Sequence, residues 1–119
     1  MSEVKQDAVV ANTGPLKGLR VVEMGQLIAG PFCGQLLGDM GAEIIKIEPP
    51  KIGDPMRAWG RGDYPLWWEV VARNKKSVSA DLRVPEGQDL ARRLIAERLI
   101  HVVRHGALLA RVVLRLVSP

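Results

Sequence analysis

A chain of 119 residues with 47% hydrophobic residues has the size and apolar content of one domain. Its net charge of +4 is unevenly placed: residues 1–97 hold 13 basic and 13 acidic residues, and the excess is Arg98, Arg104, Arg111 and Arg115 in an acid-free tail. This argues against a nucleic-acid-binding face, the single Cys33 excludes an internal disulfide, and no uncharged run reaches membrane-spanning length.

Residues 1–14 read as a flexible arm; they are polar and lack the apolar core of a signal peptide, so the cytoplasm is the expected location. Leu19–Met24, an apolar run bounded by Gly18 and Gly25, predicts a buried parallel strand. Gly25–Gly30 is a loop. Pro31 opens a helix that runs to Met40, and Gly41 stands where a left-handed C-cap is usual. Glu43–Glu48 alternates isoleucine with charge and predicts a second strand, stopped by Pro49-Pro50. Strand, helix and strand in about 30 residues make a βαβ unit. A loop, a helix N-terminus and a returning strand suit a nucleotide or another anion. Cys33 is expected to be a buried, structural thiol.

Residues 51–64 form a long loop rich in Gly, Pro and charge, with Trp59, Trp67 and Trp68 around it. These rings either pack the loop down or line a site for an acyl or adenine group. A short helix over 65–73 follows. Asn74-Lys75-Lys76 reads as a turn with two solvated charges, or charges that steer an anion. Ser77–Leu82 alternates and predicts a third strand; Pro85–Glu97 predicts a helix. Leu99–Val103 reads as a fourth strand and 107–117 as a helix, although one helix over 98–117 competes. His101 and His105 have a metal-like spacing, but no carboxylate or cysteine accompanies them, and a metal site is not expected.

The order PLKGLRVVEM, AGP, LGDMGAEIIKIE, GDPMR, RNKKS, ADL across residues 15–97 resembles the N-terminal part of the family III (CaiB/BaiF-type) CoA-transferases. The resemblance implies an α/β fold: a Rossmann-like parallel sheet with flanking helices, here a truncated N-terminal part of the large domain. It also implies a homodimer, and acyl-CoA and a carboxylic acid as substrates. CoA would be a substrate, with no permanently bound cofactor. In such enzymes an aspartate attacks the thioester to form a mixed anhydride and release CoA, which then attacks to give an aspartyl-CoA thioester that the acceptor acid takes over. Asp39, Asp54 and Asp81 belong to the N-terminal pattern, and none matches that nucleophile, so the chain alone is expected to be inactive.

By the same resemblance, CoA contacts fall on Ile28 and Ala29, on Pro49, and on Ala80, Asp81, Leu82 and Arg83 at the adenine end. Pro49 stands where the family often has an arginine for the phosphates, a role left to Lys51 or Arg83. Leu99-Ile100, Arg104 and Gly106 align with a further CoA-contacting element whose Asn-Phe pair is replaced by Val102-Val103. Residues 98–119 read as a divergent basic and apolar tail. The alternatives are a non-catalytic CoA-binding or interaction module, or a fragment of an α-methylacyl-CoA racemase.

Overall fold

A computed structural model describes residues 13–96 and 99–102. In chain order they form β1 (Arg20–Glu23), α1 (Ala29–Asp39), β2 (Glu43–Glu48), a 3-10 turn (Pro55–Ala58), α2 (Leu66–Val71), β3 (Lys75–Ser79), α3 (Pro85–Ala96) and β4 (Leu99–Val102). The four strands make one sheet in the order β3-β2-β1-β4, every pair parallel. The α/β class and the parallel sheet anticipated from the residues are therefore present. Residues 99–102 are strand, which decides against a single helix from 98 onwards. Arg104, Gly106 and the helix expected over 107–117 lie outside the described residues.

The central strands are buried because both faces are covered, as their β-branched runs require. On one face Val22, Met24 and Ile47 pack with Ala80 and with Leu90, Ala91, Leu94 and Ile95 of α3. On the other, Val21, Ala42 and Ile44 pack with Leu16, Leu19 and Leu37. Val21, Val22, Ile44 and Ile47 are at most 3% exposed. Burying a side chain of this kind is worth about 1.5–3 kcal/mol.

The second face changes character along the strands. Side chains alternate, so Glu23 follows Val21 on it, and Lys46 and Glu48 follow Ile44. Helix α1 covers this face with Gly30, Gly34 and Gly38, one residue per turn. A Cβ at Gly34 would lie 2.0 Å from Glu23 Oε2, and one at Gly38 would lie 3.1 Å from Ile44 Cγ1. The glycine row lets the helix sit close to the sheet. The larger Phe32, Leu36 and Met40 point outward and are exposed. Gly41 ends α1 with φ +103°, the expected left-handed stop.

Two expectations are corrected. The third strand is Lys75–Ser79 and starts two residues early; Asn74 takes the turn conformation, with φ +61°. Lys75 and Lys76 are thus strand residues, and the Lys75 side chain is 3% exposed because it turns under α1 to meet Glu23. Cys33 is exposed, not buried, because it lies off the glycine row that faces the sheet.

Candidate CoA-binding end of the sheet

Parallel strands end together, so the connections after β1, β2 and β3 share one end of the sheet, where open α/β sheets receive ligands. Those connections carry Ile28 and Ala29, Pro49, and Ala80 to Arg83. Neighbouring connections are tied to each other. The Leu27 amide donates to Asp54 Oδ1 (3.1 Å), and the Ala80 amide donates to the Glu48 carbonyl (3.0 Å).

The surfaces differ from one segment to the next. Ile28 is 59% exposed and Ala29 is exposed, at the start of α1, where no side chain caps the helix. Pro49 is half-buried. Ala80 is buried, and Leu82 packs on the core. Helix α3 fixes this last segment. Gln88 Nε2 donates to the Leu82 carbonyl (3.0 Å), and Gly87 is so close that a Cβ there would lie 2.0 Å from the Asp81 carbonyl oxygen. Arg83 is exposed and donates twice to its neighbour Asp81 (2.9 and 2.8 Å). These side-chain hydrogen bonds, with one from the Arg83 amide, hold the Asp81 carboxyl down to about 2. Lys51 is exposed and has φ +70°. Arg104 is outside the described residues.

Beneath these loops lies a layer of buried charge that the sequence reading did not single out. Lys46 Nζ meets Glu23 Oε1 (2.8 Å), Asp54 Oδ2 (2.7 Å) and the Gly25 carbonyl (2.9 Å). Lys75 Nζ meets Glu23 Oε2 (2.7 Å) and the Pro31 carbonyl (2.7 Å). Burial pulls the Lys75 ammonium below its ordinary value, against the pull of Glu23. A sequence signal was available: an acid and a lysine inside apolar strand runs, at positions that pair directly as Glu23 and Lys46.

Glu48 forms a second centre. It accepts from Arg57 Nε and Nη2 (both 2.7 Å), Ser77 Oγ (2.6 Å) and the Asp54 amide (2.8 Å). Burial alone pushes its carboxyl up. The hydrogen bonds from Arg57, Ser77 and Asp54 outweigh burial and hold it at about 2. A depressed carboxyl contributes stability that is complete above its ordinary value of 4.5 and is lost as the pH falls through about 2. Thermal unfolding between pH 5 and pH 2 should therefore show a falling acid limb that Glu48→Gln flattens. An unchanged limb in that variant would remove Glu48 as its source.

The tryptophans differ in their surroundings. Trp68 packs: its ring lies 3.9 Å from the Arg57 guanidinium carbon, a cation–π contact. Trp59 and Trp67 line an open cavity of about 540 Å³ together with Arg61 and Leu66.

The profile described as CoA-transferase family III matches residues 16–107. The chain belongs to that family. Among its family III relatives is the succinyl-CoA–D-citramalate CoA-transferase of Chloroflexus aurantiacus, 63% identical over 84 residues, which are 68% of this chain and 21% of that protein. The succinate–glutarate CoA-transferase of Agrobacterium fabrum is 43% identical over 90 residues, 68% of this chain and 22% of that protein. The crystal structure of a CaiB/BaiF family protein from Brucella suis superposes with a TM-score of 0.66 at 41% identity, covering 74% of this chain and 25% of that one. The chain thus spans about a fifth to a quarter of the family III proteins it matches. No helix among the described residues is long and apolar enough to cross a membrane.

Proposed function

We propose that residues 15–97 are the CoA-binding region of a family III CoA-transferase, followed by a tail over 98–119 that diverges in sequence. The enzyme would move CoA from an acyl-CoA to a carboxylic acid in the cytoplasm. The named relatives act with succinyl-CoA or succinate, so a dicarboxylic acyl-CoA is the proposed donor class. They are transferases, which favours transfer over racemisation.

One observation carries this reading: three connections from adjacent parallel strands meet at one sheet end and are held together by Leu27–Asp54 and Glu48–Ala80 hydrogen bonds. The loop at Ile28 and Ala29 would take one part of CoA. Ala80, Asp81 and Leu82 would hold the adenine end, with Arg83 and Lys51 near the phosphates in place of a charge at Pro49, and Arg104 as a further contact. The three aspartates of the N-terminal pattern are occupied otherwise. Asp54 is bound by Lys46 and two amides, Asp39 by Arg73, and Asp81 by Arg83. None would serve as the nucleophile, and the chain alone would bind without turning over. The homodimer implied by the resemblance would cover the outward row of Phe32, Leu36 and Met40.

Calorimetric titration of the 119-residue chain with CoA tests this. Saturable binding tighter than ~1 mM, worth about 4 kcal/mol, is expected. No saturable heat at that concentration would overturn the reading. Thioester exchange by the purified chain with succinyl-CoA and an acceptor acid would overturn the claim that it lacks the nucleophile.

A further inference from the structure

The connection between β1 and α1 and the first turn of α1 are held from below at three backbone points. Lys46 donates to the Gly25 carbonyl, Asp54 accepts from the Leu27 amide, and Lys75 donates to the Pro31 carbonyl. The three side chains come from β2, from the loop after it, and from β3. Glu23 on β1 joins two of them through its two oxygens, and Lys46 joins Asp54. The side chains of Glu23, Lys46 and Asp54 are at most 1% exposed, and that of Lys75 is 3% exposed.

Two features distinguish this cluster from ordinary core packing. Four buried charges are a costly way to stabilise a sheet, since apolar side chains of similar volume commonly do as well or better. Moreover, the residue they grip is strained. Leu27 has φ +63°, a region that bulky side chains avoid and that persists only where the surroundings enforce it. The enforcing contact is visible: Asp54 Oδ1 accepts from the Leu27 amide itself and also from the Met56 amide (2.9 Å). The next residue, Ile28, is exposed at the proposed binding end.

We infer that Glu23, Lys46, Asp54 and Lys75 are positioning residues that hold the β1–α1 loop in its strained shape and thereby set where Ile28 and Ala29 meet a ligand. They touch no ligand and act through the backbone of Gly25, Leu27 and Pro31. The part concerning CoA rests on the proposed function; the part concerning loop shape does not.

The test compares the unaltered 119-residue chain with Asp54→Ala and Asp54→Asn. Asn preserves volume and one acceptor oxygen, which can serve the amides or Lys46 but not both, and it is the variant to rely on should Ala fail to fold. Residue-resolved amide hydrogen exchange reads the loop, and CoA titration reads the ligand. The Leu27 amide is expected to exchange about tenfold faster in Asp54→Ala and about threefold faster in Asp54→Asn. The amides of Val22 and Ile45 should accelerate less than that of Leu27, and CoA affinity should fall about five- to tenfold, less in Asn. An unchanged Leu27 rate, or equal acceleration at Val22 and Ile45, would overturn the inference by making the cluster merely stabilising. Equal CoA affinity in all three proteins would overturn it too. If the unaltered chain binds no CoA while Leu27 accelerates most, the proposed function falls and the control of loop shape stands.

Discussion

Lys46→Met is expected to lower the free energy of unfolding by about 3–5 kcal/mol, measured by urea denaturation. Lys46 is the cation shared by Glu23 and Asp54, and its side chain is 1% exposed. Methionine fills the volume but brings no charge. Glu23 would keep Lys75, whereas Asp54 would keep only the amides of Leu27 and Met56. A buried carboxylate in that state must be desolvated unpaired or take up a proton. The double variant Lys46→Met with Asp54→Asn removes the stranded charge and should recover part of the loss. A single-variant loss under about 1 kcal/mol would mean that water reaches the cluster and that the four charges are not truly interior.

Gly34→Ala should cost about 3 kcal/mol, at the upper end of what forcing one methyl group into a close-packed interior usually costs. The added Cβ would come within 2.0 Å of Glu23 Oε2, and 3.5 Å from Lys75 Nζ. A flexible side chain would swing away, but this carboxylate is pinned on both sides by ammonium groups. Either α1 lifts from the sheet or the ion pairs open. Cys33→Ala, one residue along and exposed, provides the control and should stay within about 0.5 kcal/mol. Equal melting temperatures for the two variants would show that α1 has room to shift.

What the residues announce in advance is local. The runs at Val21-Val22 and Ile44-Ile45 have a β-branched pattern that no neighbour needs to explain, and Gly41 and Pro49 punctuate them. β1, α1 and β2 were legible for that reason. The start of β3 was not, because Asn74-Lys75-Lys76 has the composition of a turn. What makes Lys75 a strand residue is an acid 52 positions earlier, on a strand with which β3 does not even pair. Cys33 was misplaced for a related reason. α1 turns its smallest residues inward, the opposite of an ordinary amphipathic helix, so hydrophobicity points to the wrong side. At the candidate site, resemblance supplied Ile28, Ala29, Pro49 and the 80–83 segment, and the fold puts their connections at one sheet end. Of the charged layer that supports them, only Glu23 and Lys46 leave a mark in the sequence, as charges inside apolar strand runs. Alternation along one strand does not reveal which charges of other strands arrive on the same face.

The sheet order has a consequence for how the chain comes together. The earliest strand occupies the middle, with Arg20 opposite Glu43 on one side and Leu99 on the other. The pairing with Glu43 closes over a short span and the pairing with Leu99 over a much longer one, and entropy favours the short closure. Of the four described strands, β4, which pairs beside Val22, is therefore the last to be synthesised.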